Sequence, residues 1–370
     1  MLRKERKSER ERAFIENGSR VLEKLVSTCN GKPIPIRTFS FAELSNATNN
    51  FDPQLVIREV WPYQWYKGYL EGRTISIKKA IHDCAREEAF TDLAFSAKVS
   101  AHKNVLKLVG YCLETPIVIL VYEFAGKGTL GDLILADNEP LTWESRLKMA
   151  RESAHAISYL HTAFSRPIIH TEIGLHNIFI DCHGVPKLTG FSNSLIIPEG
   201  ETHVKDDSDE WEFMRIMRKL CPKYWETGCI TEKTDVYCFG GTLLQIFTTN
   251  TMVDSAILAG ELRGAGVEQQ FQAVRDLAFR CMEEEPMERP TMVDVTKELR
   301  RIEKSIPLIK MSSSRVGRKR RNLAKTSISP GRERTVSVER QVKLSDFQSL
   351  VWEGHSLPSV SSANVVGDLS

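Results

Sequence analysis

Ile168-Ile169-His170-Thr171-Glu172-Ile173-Gly174-Leu175-His176-Asn177-Ile178-Phe179-Ile180-Asp181 is the stretch on which the reading of this chain turns. An apolar pair enters it and an apolar triplet leaves it, with His170, Glu172 and Asn177 set between. Just upstream, Leu147, Ala150, Ala154, Ile157 and Leu160 recur at steps of three or four, one apolar face of a helix. Far downstream, Met292, Val295, Leu299 and Ile302 repeat the pattern, entered through Arg289-Pro290, a proline suited to a first helical turn. Towards the N-terminus the texture changes. Strand-like apolar runs fall at about 55–70, 74–77, 105–111 and 117–123, with a helix predicted near 85–99. A small strand-rich half therefore precedes a larger helical half, an α+β arrangement.

The 370 residues suit two lobes or two domains. With 41% apolar and 26% charged residues the chain can bury a core, which excludes collagen-like, wholly disordered and disulfide-framework classes. Fifty Lys+Arg against 48 Asp+Glu give +2, so no nucleic-acid partner is expected. The charge is uneven: residues 311–370 hold ten Lys/Arg against five Asp/Glu and are rich in Ser and Gly, which predicts a disordered basic tail, a nuclear address or a phosphate-binding patch. Residues 1–26 read as a charged helical extension, broken by Gly31, Pro33 and Pro35. The longest apolar run, Ile117-Val118-Ile119-Leu120-Val121, is far short of the roughly 20 residues that span a bilayer. The charged start Met1-Leu2-Arg3-Lys4 predicts no secretory leader, so the eight scattered cysteines are expected as reduced thiols in a cytoplasmic or nuclear protein.

The chain resembles a protein kinase, and a plant receptor-like kinase in particular, with a kinase domain of the wall-associated type. The lead-in Phe39-Ser40-Phe41-Ala42-Glu43-Leu44 with Ala47-Thr48-Asn49-Asn50-Phe51-Asp52 carries the resemblance. So do His102-Lys103-Asn104-Val105-Leu106, the hinge run Leu120-Val121-Tyr122-Glu123-Phe124, Thr231–Gly240 and Glu288-Arg289-Pro290-Thr291. It implies a bilobal protein-kinase-like fold: extension 1–38, strand-rich N-lobe 39–125, helical C-lobe 126–305 and tail 306–370.

Phosphoryl transfer needs the phosphates covered, the metal held, the charge neutralised and the hydroxyl oriented. Counting back from Tyr66-Lys67-Gly68, the three glycine positions of the phosphate-covering loop fall on Arg58, Val60 and Tyr63, with Trp61, Pro62 and Trp65 between and beyond. Such a hairpin is expected to fill the cleft in part. Lys78, in Ile75-Ser76-Ile77-Lys78, matches the third-strand lysine; with Tyr122, Glu123 and Asn177 it makes up the nucleotide-binding set the family implies. The usual glutamate partner of that lysine, counted from His102, falls on Leu93, so the standard ion pair is not encoded, with Asp92 or Glu88 as substitutes after a helix rotation. The general-base position holds Glu172, one methylene longer than aspartate, which puts at risk the factor of about 10²–10⁴ that a placed base supplies. Gly174 stands where a lysine would meet the transferred phosphoryl group, Thr171 where an arginine would bind an activation-loop phosphate, and Gly190 where the metal-binding aspartate belongs. Without that carboxylate Mg²⁺ loses its hard oxygen ligand. Lys223 reverses the charge of the glutamate that would pair with Arg289, which leaves Glu226 to hold the segment; Lys205–Glu212, acidic and carrying Trp211, is either a solvated face or a docking surface.

Residues that hold the fold match, and residues that do the chemistry are mostly replaced. The expectation is a pseudokinase requiring no cofactor, with weak ATP binding at most and no Mg²⁺; the competing expectation is a weak, atypical Ser/Thr kinase. The runs Glu16–Leu22 and Gly31–Ser40 resemble one plant group more narrowly, the receptor-like cytoplasmic pseudokinases that act as adaptors of intracellular NLR immune receptors. That resemblance implies an NLR receptor and other receptor-like cytoplasmic kinases, modified by pathogen effectors, as partners. Contact with the plasma membrane is then expected only through those partners.

Overall fold

Tyr63–Leu70 (β3) turns through Glu71 and Gly72, both with positive φ (51° and 75°), directly into Arg73–Ala80 (β4). Two successive positive-φ residues give the turn whose twist matches that of paired strands. This hairpin is the centre of a six-stranded sheet ordered β1-β5-β6-β4-β3-β2, completed by Arg37–Thr38 (β1), Val56–Val60 (β2), Leu108–Cys112 (β5) and Ile119–Glu123 (β6). Neighbours are antiparallel except β1, which lies parallel to β5.

The computed structural model describes residues 2–29, 36–136, 141–205, 221–248 and 265–305, all within the unit Met1–Ile309. The acidic run at 206–212 with Trp211, and the tail expected to be disordered, lie outside the described residues.

One face of the sheet buries Tyr66, Ile75, Ile77, Ile119 and Val121 beneath the lead-in, where Phe41–Ala47 (α2) starts on a Ser40/Glu43 capping box. The other face takes Arg86–Val99 (α3), the helix expected near 85–99, through Phe90, Leu93 and Ala97. Against α3 lies the N-terminal extension, Leu2–Cys29 (α1). Val21 enters the α3 core, Arg20 pairs with Glu87, Lys98 donates to the Thr28 carbonyl, and the Asn17 amide bridges the carbonyls of Leu113 (3.0 Å) and Thr115 (2.8 Å). The extension is thus a brace on the N-lobe.

The second lobe is built around Trp143–Thr162 (α5), whose stripe Leu147, Ala150, Ala154, Ile157 and Leu160 is buried as its spacing predicts. Glu232–Thr248 (α7), Ala265–Cys281 (α8) and Met292–Lys304 (α9) pack on it. Between the lobes run Leu130–Leu135 (α4), Ile168–Ile169 (β7), Ile178–Ile180 (β8), Pro186–Leu188 (β9) and Leu195–Ile196 (β10). Val204–Lys205 (β11), Pro222–Thr227 (α6) and Cys229–Ile230 (β12) follow. Seven cysteines within the described residues are free thiols, and no described helix is long and apolar enough to cross a membrane.

Candidate functional site

Lys78 and Asp92 decide the chemistry between the lobes. The pairing of Trp65 with Lys78 across β3 and β4 turns both side chains into the cleft, while Ile77 and Tyr66 face the opposite core. Lys78 is 5% exposed and Asp92 not at all. The Lys78 ammonium donates to Asp92 Oδ2 at 2.6 Å and to Ser192 Oγ at 3.2 Å, and stands 3.8 Å from the centre of the Tyr63 ring. An ammonium has three donor directions, and all three end on the protein. The ion pair missing at Leu93 is therefore made by Asp92, one position earlier. Leu93 is instead buried beside Val21 of α1, so packing against the extension sets the helix facing. Glu88 plays a different part, accepting from the Tyr63 hydroxyl at 3.4 Å.

Asp92 is also a hub. Its Oδ1 accepts from Ser96 Oγ (2.9 Å), Tyr122 Oη (3.2 Å) and the Phe191 amide (3.3 Å). A buried carboxylate persists only when charge and hydrogen bonds compensate its desolvation, and here a cation and three donors do so. Burial, then the neighbouring Asp92 charge, push the Tyr122 phenol well above its ordinary pKa, so it remains a neutral donor. Glu123 is taken by Lys187 at 3.1 Å and accepts from the Lys107 amide at 3.2 Å.

The expected filling of the cleft by the degenerate loop is present, and it is specific. Trp65 occupies the position of the valine that follows the third loop glycine. It is 4% exposed and lies between Tyr122 (ring centres 5.3 Å apart) and Phe179 of β8 (5.0 Å). An N-lobe ring is thus held between a strand of its own lobe and the C-lobe floor, each aromatic contact worth about 0.5–1.5 kcal/mol beyond area burial. Trp61 behaves otherwise: it is 64% exposed and packs on His82. Val60 points outward as well. Arg58, at the first glycine position, reaches across the lobes to Asp132 Oδ2 (3.1 Å) and Thr129 Oγ1 (3.2 Å) at the start of α4. That latch was not anticipated. Thr129 and Asp132 read locally as a capping box, which they also form, and only the fold shows the same carboxylate turned to Arg58.

At the base position, Glu172 Oε1 accepts from Asn193 Nδ2 at 2.6 Å. Asn177 Nδ2 donates to the Glu172 carbonyl at 2.9 Å, the loop-capping role open to that residue type. Gly190 is left-handed (φ 85°), and a Cβ placed there would meet Asn177 Oδ1 at 2.5 Å. The carboxamide fills the space into which a metal-binding carboxylate would project. A Cβ on Gly174 would meet the His176 ring at 2.8 Å, so the space beside that position is likewise closed. Among the described residues no group of three or more His, Cys, Asp or Glu side chains could hold a metal ion, and these donors do not fit Mg²⁺.

The scaffold beneath is whole. Asp235 of α7, fully buried, accepts from the amides of His170 and Thr171 at 2.8 Å each and approaches His161 Nε2 at 2.9 Å. His170 contacts the Thr189 carbonyl (3.0 Å) and packs on Phe191 (4.9 Å); burial lowers its pKa and keeps the imidazole neutral. Arg289, also buried, has no carboxylate partner among the described residues. Its guanidinium donates to the carbonyls of Glu283 (2.7 Å), Glu284 (3.0 Å) and Lys233 (3.0 Å). The expectation that Glu226 would replace the missing glutamate is corrected: Glu226 pairs with Lys223 at 3.1 Å, and Lys223 also reaches Glu285. Backbone carbonyls take the place of the lost anion.

Comparison with known proteins agrees with this geometry. The family described as protein tyrosine and serine/threonine kinase matches residues 58–299. Three curated relatives from Arabidopsis thaliana align over most of their length. The serine/threonine-protein kinase ZRK1 is 36% identical over 337 residues, 81% of this chain and 95% of the relative. The non-functional pseudokinase ZRK2 is 34% identical over 335 residues, 81% and 92%. The non-functional pseudokinase ZED1 is 35% identical over 327 residues, 78% and 96%. With an intact kinase scaffold and relatives of this extent, the chain belongs to the protein kinase family, on a branch that includes named pseudokinases.

Proposed function

We propose that this chain is a kinase-derived scaffold that transfers no phosphate and works as an adaptor in plant innate immune signalling, linking an NLR receptor to effector-modified receptor-like cytoplasmic kinases. The observation that carries the first half is the filling of the cleft around Lys78 by the protein's own side chains. Its ammonium is spent on Asp92, Ser192 and the Tyr63 ring, while Trp65 fills the space behind it. To bind, nucleotide would have to displace Ser192 and the Tyr63 ring from the ammonium and expel an indole, so on this reading no cofactor is required and Mg²⁺ has no place. The adaptor half rests on the resemblance of the N-terminal runs and on similarity to relatives named non-functional pseudokinases.

A thermal-shift titration of the purified chain with ATP, with and without Mg²⁺, tests the first half: no shift is expected at millimolar nucleotide. For the second half, affinity purification from plant tissue is expected to retain an NLR protein or a receptor-like cytoplasmic kinase, and recovery of neither under mild conditions sinks it. One observation favours a second reading, a weak Ser/Thr kinase: the Lys78–Asp92 pair is formed, and ZRK1 bears a kinase name. That reading requires phosphate incorporation that vanishes in both Lys78→Ala and Glu172→Ala.

A further inference from the structure

Away from the cleft, the end of α1, the middle of α3, the loop entering β7 and strand β10 line an open surface cavity of about 290 Å³. Lys24 comes to it from α1 and Arg166 from the loop before β7, so the two cations belong to different lobes. Neither makes an ion pair or hydrogen bond among the described residues, and no carboxylate lines the cavity. Elsewhere in the fold Arg20, Arg58, Arg151 and Lys187 each pair with an acid. The lining hydroxyls of Ser27, Thr91 and Ser194 donate to the carbonyls of Lys24, Glu87 and His170. Besides the Thr28 hydroxyl, the donors left on the lining are an ammonium and a guanidinium. Phe95, Leu195 and Ile196 make an apolar side to the same cavity.

We propose that this cavity binds a phosphorylated serine or threonine side chain of a partner protein. A phosphate monoester carries about −1.5 to −2 charges at neutral pH with three strong acceptor oxygens, which matches one point-charge donor and one planar fork. Two features favour a phosphate borne on a chain over a free ion. The apolar side suits the methylene or methyl of the phosphorylated residue. Strand β10 is hydrogen-bonded in its sheet only to β7, so among the described strands its outer edge is open to an extended segment. Bound there, the phosphate draws the extension and the C-lobe together. No cleft residue lines the cavity, so this proposal and the pseudokinase reading stand or fall separately.

The test is isothermal titration of the full chain with a degenerate peptide pool built on a fixed central phosphothreonine, with its unphosphorylated counterpart and with inorganic phosphate. Saturable binding of the phosphorylated pool is expected, with Lys24→Gln and Arg166→Gln each weakening it about tenfold, the scale of one charge-assisted hydrogen bond, and Lys24→Arg retaining it. Neither side chain has a partner among the described residues, so unchanged melting temperatures will show the variants folded. Equal binding of the two pools, undiminished binding by the Lys24→Gln/Arg166→Gln double variant, or inorganic phosphate binding as tightly as the phosphorylated pool, would each overturn the proposal.

Discussion

Asp92 gathers a cation, two hydroxyls and an amide on one carboxylate in a site closed to water. Asp92→Asn keeps the shape and removes the charge, leaving the Lys78 ammonium buried without a counter-ion. Urea unfolding is expected to show a loss of about 3–5 kcal/mol. Lys78→Met combined with Asp92→Leu, which removes both charges, is expected to recover most of it, since a buried pair replaced by apolar groups of similar volume is often neutral. Gly190→Asp is the obvious repair of the metal station, and it is expected to fail alone. The new Cβ enters the space of Asn177 Oδ1, and Lys78 remains committed; ATP with Mg²⁺ should still give no thermal shift. His102 supplies a pH test. It contacts His155 across 3.2 Å and stacks on Tyr159, and burial lowers its pKa to about 4. Between about pH 4 and its ordinary value of 6.5 the unfolded chain binds the proton and the folded chain does not, so stability rises with pH through that window. His102→Asn is expected to flatten the denaturation midpoint against pH there. A midpoint profile as steep as the wild type's would count against this assignment.

At the scale of elements, α1 and the β2–β3 hairpin do unexpected work. The charged composition of residues 1–26 indicated a helix, and the structure adds its target, α3. Asn17 is the sharpest contact because one amide serves two carbonyls of the β5–β6 connection. Asn17→Ala is expected to cost about 1–2 kcal/mol and to speed amide exchange in α3 as well as α1, which hydrogen exchange would resolve. Exchange rising in α1 alone would mean that the extension does not brace α3. For the hairpin, Arg58→Ala is expected to cost under about 1 kcal/mol, because Asp132 is half exposed and such pairs are weak. The aromatic sandwich beneath should carry closure: Trp65→Ala is expected to cost about 3–5 kcal/mol, the range for a large aromatic truncated in a core.

Over the whole molecule, the two-lobed plan was legible because apolar periodicity changes at the right place and the scaffold residues stand at family spacing. So were the replacements at Glu172, Gly174 and Gly190, since a changed side chain is visible in one letter. Partnerships made across the fold were legible only in part: Asp92 and Glu88 both stood open for Lys78, and only the fold selects Asp92. Asp92 stands one residue from the counted position because helix facing is set by what packs behind it. Arg58 meets Asp132 at a separation of 74 residues, and Arg289 satisfies itself on carbonyls, which every residue owns. A kinase that binds nucleotide is stabilised by it through mass action. On the function proposed above, Trp65 fills that cleft from within, and nothing is left to titrate. A scaffold of that kind would be indifferent to the adenylate pool, and a starved cell and a well-fed one would present the same surface to whatever reads it.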